Sequence, residues 1–376
     1  MLFGPPVSAW RFLAAALDLT PYQPTATYAY GASFRQVKRA LGVRADASSF
    51  QHYLYGTRNG VEIIVHTFDV GSGSTSTTYT GVLARVDPPL FLGLGLRAKG
   101  FFERVFGTAR IRLGDAAVDD ALYVDAHDPG RVASLLSLAD ERGREIVTRA
   151  TRLLPWYFHA SDSSVLVAET GTIVDPARVA RWADQATSFA KALAARRASL
   201  PITPAEEAFQ AVWRNFGDER GLAFDAPRLK LDGLLGGART EIALETAGQS
   251  SFTAVTAHFP RTLDVAFSAL RTATPGFLQG IFSQDVRIGH AAFDDAYRVS
   301  GYPEAAVAAI LQAPGIADTL ATIAAHTGEA MMNHQGLYFR LPGALATPDA
   351  LAALADTVRH VSATVFGAAR NVGPYR

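Results

Sequence analysis

Residues 111–124 read IRLGDAAVDDALYV and residues 286–299 read VRIGHAAFDDAYRV, and no other feature constrains the fold of this chain as strongly. Eight of the fourteen positions are identical, and Ile111/Val286, Leu113/Ile288 and Val118/Phe293 are apolar in both. Just upstream, GFFERVF at 100–106 mirrors GFLQGIF at 276–282. Agreement of this density in the same order predicts a tandem duplication, so the fold has to be one that two similar units can share.

The apolar pattern repeats along with the letters. Leu90, Leu92, Leu94 and Leu96 alternate, as do Leu263, Val265, Phe267 and Ala269; Val82, Ala84 and Val86 match Val255, Ala257 and Phe259. Period-two alternation predicts antiparallel strands with one covered face. Asp175-Pro176 and Thr347-Pro348 each read as an N-cap followed by proline in the first helical turn. The stripe Val179, Trp182, Ala186, Phe189, Leu193 then matches Leu351, Leu354, Val358, Val361, Val365 position for position. Stripes at this spacing press a helix onto a core.

The expected order in each half is a leading helix (33–41; 204–216), then four strands (50–55, 61–70, 78–86, 90–97; 228–231, 240–246, 251–259, 263–270). The duplicated turn follows, then a helical segment after Pro129 or Pro303, a hairpin (153–159 with 164–168; 330–333 with 337–340), and the capped helix. Strands in a run with helices at the ends define an α+β class: two tandem homologous units, each a mostly antiparallel sheet with flanking helices and a capped C-terminal helix. A pleckstrin-like curved sheet is one compatible topology. The divisions are 1–32 as an N-terminal helix and extension, 33–197 as unit 1 and 204–370 as unit 2, with the proline-containing linker between the units.

Composition then removes function classes. Lys plus Arg and Asp plus Glu are both 35, and a chain without basic excess is not built for nucleic acid by bulk charge. With 49% apolar and 19% charged residues it can bury large cores. No cysteine is present, which excludes disulfides, thiolate metal sites and cysteine nucleophiles. Near the N-terminus Arg11 and Asp18 interrupt the apolar run, while Trp10, Leu13, Ala14 and Leu17 recur at helical spacing. An amphipathic helix is expected there, not a targeting segment. No run reaches the ~20 apolar residues of a membrane span, so a soluble, cytoplasmic protein is the expectation.

No candidate motif carries chemistry. Asp119-Asp120 and Asp294-Asp295 look like paired acids, but neighbours on a strand point to opposite sides. His290 stands where the first copy has Asp115. Gly114 and Gly289 read as tight turns fixed by the aspartates that follow. His326, Glu329 and His334 lack the HExxH spacing of a zinc site. The small-residue tract 71–78 lacks the phosphate-loop lysine and joins two strands, and its counterpart lies near 248–251. Gly93 and Gly95 fall inside an alternating strand, where glycine permits curvature. No G-x-S-x-G elbow occurs. Catalytic, cofactor-binding and metal residues are therefore expected to be none.

The motif Gly114-Asp115-Ala-Ala-Val118-Asp119, with its second copy Gly289-His290-Ala-Ala-Phe293-Asp294, resembles the duplicated G-D-x-x-F-D pattern of a bacterial domain-of-unknown-function family of myxobacterial type. The first copy has Val for Phe and the second His for Asp. The resemblance implies a duplicated fold and no particular activity. The leading expectation is a non-catalytic interaction or scaffold protein, because two like units imitate a homodimer facing a protein partner. The alternative is a binding module for a small apolar ligand or lipid headgroup. An unrecognised enzyme comes third.

Overall fold

Alternating apolar residues build two eight-stranded antiparallel sheets, one in each half of the chain. The computed structural model describes residues 7–21, 53–70, 77–98, 111–247, 250–271, 286–327 and 329–372. Two compact units result: Met1–Pro201 with Thr246–Ser250, and Ile202–Glu245 with Ser251–Arg376.

The first unit contains α1 (Val7–Leu17), β1 (Thr20–Pro21), β2 (Tyr53–Arg58), β3 (Val61–Val70), β4 (Thr77–Arg85), β5 (Gly95–Ala98), α2 (Ala116–Ala121) and β6 (Leu122–Asp125). It continues with α3 (Pro129–Leu135), α4 (Glu141–Thr151), β7 (Tyr157–Ser161), β8 (Ser164–Thr170) and α5 (Pro176–Ala198). The second half repeats the series: α6 (Pro204–Arg220), β9 (Ala223–Asp225), β10 (Lys230–Leu235), β11 (Ala238–Ala247), β12 (Ser250–His258), β13 (Ala266–Arg271), α7 (Ala291–Ala296) and β14 (Tyr297–Tyr302). Then come α8 (Glu304–Leu311), α9 (Ile316–His326), β15 (Ala330–Asn333), β16 (Gly336–Pro342) and α10 (Pro348–Val372). The strand orders are β1-β2-β3-β4-β8-β7-β5-β6 and β9-β10-β11-β12-β16-β15-β13-β14, which are the same order. The hairpin β7–β8 inserts between β4 and β5, so the sheet is not the pleckstrin-like arrangement allowed by the sequence. An insertion of this kind leaves no trace in the alternation of any single strand.

The expected leading helix at 33–41 lies outside the described residues. The counterpart of α6 is α1. Each places a buried tryptophan (Trp10, Trp213) on the core side and stops at a left-handed residue, Asp18 (φ 54°) or Gly221 (φ 68°). Leu19 then donates its N–H to the Ala14 carbonyl, and Leu222 to that of Gly217, at 2.8 Å in both units. A strand glycine receives that leucine. A Cβ on Gly56 would lie 2.6 Å from Leu19 Cδ2, and one on Gly233 2.7 Å from Leu222 Cδ2.

Both capped helices form as the sequence predicts. Asp175 accepts from the Ala177 N–H and Thr347 from the Ala350 N–H, and the expected stripes are buried. In the first unit, Val179, Trp182, Ala186, Phe189 and Leu193 of α5 join Ile63, Val65, Val82, Ala84, Val165 and Val167 in one core. A second cluster (Ile64, Phe68, Tyr79, Leu83, Leu166 and Ala168) occupies the opposite face of that sheet and, among the described residues, contains no helical one.

The four leucines at 90–96 are buried, but only Gly95–Ala98 is a strand. Phe91 (φ 53°) and Gly93 (φ 66°) are left-handed, and the Asp162 carboxylate accepts the N–H groups of Leu92, Gly93 and Leu94 at 3.1, 2.8 and 2.9 Å. The alternation there records a loop wrapped on a buried acid. In the second half, too, the strand begins later than expected, at Ala266.

Candidate functional site

The glycine, the cap residue and the first aspartate of the repeated turn each have a hydrogen-bonding task. Gly114 (φ 87°) and Gly289 (φ 78°) are left-handed, with open space where a Cβ would stand. Asp119 accepts the N–H groups of Leu113 (2.7 Å) and Gly114 (3.2 Å); Asp294 accepts those of Ile288 (3.1 Å) and Gly289 (3.0 Å). Asp115 caps α2 through its carboxylate, and His290 caps α7 by accepting the Phe293 N–H on Nδ1. His290 Nε2 faces Asp318 at 2.9 Å. The acid pairs lie on single-turn helices, not on strands as expected, so adjacent carboxylates diverge by ~100°. Asp120 and Asp295 are exposed.

His326, Glu329 and His334 go separate ways. Glu329 lies 3.5 Å from the Arg340 guanidinium, and His334 Nδ1–H donates to the Phe267 carbonyl at 3.3 Å. Among the described residues no three His, Asp or Glu side chains are grouped to hold a metal ion. Most of the 71–78 tract lies outside the described residues, as does part of 248–251.

The two units share much of their side-chain-to-backbone bonding. Thr80 Oγ1 donates to the Gly171 carbonyl (2.7 Å) and accepts the Ile173 N–H (2.8 Å). Thr253 does the same with Gly343 and Leu345, at 3.1 Å each. Where the copies part company is the sheet face away from the helices. In the first sheet one register row crosses seven strands: Tyr123, Arg97, His159, Leu166, Leu83, Ile64 and Tyr55. Its apolar end belongs to the second cluster, where Phe68 stacks on Tyr79 (centroids 5.5 Å apart) and Tyr157 closes on Tyr79 at 5.7 Å.

The polar end of the row is unusual. Arg97 is only 8% exposed, and its guanidinium lies 4.2 Å from the Tyr123 ring centroid. His159, directly opposite, has a buried Nδ1 with no hydrogen-bond partner among the described residues. Burial, and then the charge of Arg97, lower its pKa to about 4, so the ring is neutral at pH 7. Burial alone takes His66 to about 3 and, as the main cause, raises the Tyr157 phenol well above its ordinary value. Tyr123, Tyr157 and His159 are half-buried.

The corresponding positions in the second sheet, by the same strand pairing, are Leu270 for Arg97, Met331 for His159 and Arg298 for Tyr123. Beside them runs a different chemistry. Arg340, 2% exposed, faces Glu245 at 3.3 Å and Glu329 at 3.5 Å, with its guanidinium 3.8 Å from the Phe252 ring centroid. Sequence reasoning passed over Arg97 and His159. The legible signal was an arginine within an alternating strand, at a position where the duplicate carries leucine.

No protein-family model matches the chain, and no curated protein matches it. Among solved structures, the crystal structure of the mycobacterial trehalose monomycolate transport factor A is similar over 53% of this chain and 99% of that one, with 13% identity and a TM-score of 0.36. A likeness at that score carries no argument. No single described helix is long and apolar enough to cross a membrane.

Proposed function

We propose that this chain is a non-catalytic binding module whose ligand is a small, partly apolar molecule held on the face of the first sheet opposite α5. One observation carries the reading: the copies keep the same strand order and the same supporting hydrogen bonds, yet differ across this face. Residues that only maintain the fold are free to stay alike; a face that serves a ligand is where copies diverge. Aromatic and aliphatic walls beside a few buried polar groups are the usual makeup of a small-molecule site.

The titratable groups of the duplicated turns support binding over chemistry, since Asp119, Asp294, Asp115 and His290 are engaged with backbone amides. A protein-interaction platform is the second reading, favoured by the pseudo-repeat of two like units. The large apolar side chains exposed among the described residues are Phe12, Ile202, Leu234 and Tyr302.

Native mass spectrometry of the full chain purified from its source, followed by organic extraction, tests the proposal. A stoichiometric small molecule that is released on extraction supports it. A chain that carries no ligand and instead elutes with a stoichiometric protein partner supports the second reading.

A further inference from the structure

The helices of the first unit line one face of their sheet. Trp10 of α1, Val132 of α3, Ile146 of α4 and Trp182 of α5 enter the same core, with Val118 of α2 packed against it. The outer surface of this layer is strongly basic. The five helices hold ten Lys and Arg (one on α1, one on α3, three on α4, five on α5) against five Asp and Glu, whereas the five helices of the second unit hold four against ten. The zero net charge of the chain hides this opposition. Two contacts set α4 beside α5: Asp140, capping the start of α4, pairs with Arg196 near the end of α5 at 2.6 Å, and Arg149 in the last turn of α4 donates to Ser188. The two helices thus run antiparallel, and Arg152 follows Arg149 toward the Arg181 end of α5. Arg142, Arg144, Arg152, Arg181 and Lys191 are exposed and have no acidic partner among the described residues. Exposed unpaired cations add little to a fold, and like charges grouped on one layer repel. On α1, which packs against α5, Phe12 is 64% exposed next to an exposed Arg11.

From this we infer that the helical layer of the first unit docks on an anionic phospholipid surface, its arginines meeting the headgroups and Phe12 entering the apolar boundary beneath them. The inference does not depend on the ligand reading, which concerns the opposite face of the sheet. A guanidinium fork matches the oxygens of a phosphate or carboxylate headgroup. An exposed aromatic beside cations on a helix surface is the interfacial pattern, in which the apolar side chain reaches the acyl boundary while the charges stay with the headgroups. The acidic helices of the second unit disfavour the same surface, so the attraction is confined to the first. Each Lys or Arg near an anionic bilayer strengthens binding by about fivefold. The attraction fades within a Debye length of ~8–10 Å, so it is salt-sensitive.

Co-sedimentation of the full chain with phosphatidylcholine vesicles, with and without about 30% phosphatidylserine, tests this. The chain is expected to bind the phosphatidylserine vesicles at ~0.1 M salt, to leave them at ~0.5 M, and to ignore phosphatidylcholine alone. Arg152→Glu with Arg181→Glu should weaken binding about 25-fold or more while the melting temperature stays within a few degrees. Arg287→Glu with Arg370→Glu, two exposed arginines of the second unit, changes the net charge equally and should leave binding within about twofold. Phe12→Ser should weaken binding about fivefold or more without changing its salt dependence. Equal binding to both vesicle types, or equal loss from the two double reversals, overturns the inference. So does the absence of binding to the phosphatidylserine vesicles. If a duplex oligonucleotide binds more tightly than the vesicles and the first-unit reversals release it, the basic layer serves nucleic acid and the lipid inference is wrong. Arg152→Gln and Arg181→Gln, each expected to bind about fivefold more weakly, carry the same test if the double reversal does not fold.

Discussion

Replacing Asp119 or Asp294 measures what the duplicated turn is for. Each carboxylate accepts two backbone N–H groups, at 2.7 and 3.2 Å in the first copy and 3.1 and 3.0 Å in the second. Hydrogen bonds to a charged group contribute roughly 1.5–3 kcal/mol each when buried. Both side chains are half-exposed, so water competes for the freed amides and the loss shrinks. Alanine should therefore cost about 2 kcal/mol at either position. Asparagine keeps one acceptor oxygen but turns its NH2 toward the other amide, and should cost about 1 kcal/mol. Because the geometry is duplicated, the losses in the two copies should agree within about 0.5 kcal/mol. Urea titrations of the four single variants, followed by far-UV circular dichroism, give the comparison. Gly114→Ala in the same series isolates backbone strain, since no neighbour lies within 4 Å of the added methyl, and should cost about 1 kcal/mol. Asparagine variants that keep full stability but lose ligand or partner binding would refute the structural assignment.

Three further outcomes are expected. Gly56→Ala and Gly233→Ala should each cost about 1–3 kcal/mol, because the new methyl enters Leu19 or Leu222; unchanged urea midpoints would contradict the close approach. His66 and His159 are neutral in the fold, with pKa values lowered to about 3 and about 4, so the unfolded chain takes up protons first. Their contribution is complete above about pH 6.5 and falls as the pH drops toward 4, by up to about 1.4 kcal/mol per pH unit for each. His66→Gln and His159→Met should each flatten the pH dependence of urea stability between pH 6 and 4.5, and slopes identical to the parent's would count against their burial. Arg340→Met should cost about 3–5 kcal/mol by leaving Glu245 and Glu329 without their shared cation, and adding Glu245→Gln should recover part of it. A near-neutral melt for Arg340→Met would show that the network contributes little.

The fold class was legible because it is written in periodicity. The paired stripes of α5 and α10, the caps at Asp175 and Thr347, and the β7–β8 and β15–β16 hairpins follow from local patterns that tertiary packing reinforced. What stayed hidden depends on distant partners. The leucines at 90–96 alternate like a strand, yet a carboxylate some seventy residues later bends them into a loop. The acid pairs looked like strand residues because a single-turn helix is too short to show a period. The kinship of α1 with α6 was masked because Asp18 does in one copy what Gly221 does in the other. The candidate site was least legible of all. Arg97 and His159 lie more than sixty residues apart, and only the register of β5 on β7 makes them neighbours.

That inserted hairpin also sets an order of events during folding. In each unit β4 or β12 pairs with a strand that arrives some eighty residues later, and among the described residues the β5–β6 or β13–β14 pair joins the sheet through β7 or β15. Non-local pairing of this kind must meet the entropy of a long loop before any contact repays it, which slows closure. On the ribosome the early strands therefore wait, edge exposed, until the last hairpin of their unit emerges. A truncation just before Tyr157 or Ala330 removes the strand that ties two halves of a sheet together, leaving β4 or β12 open to pair with another chain.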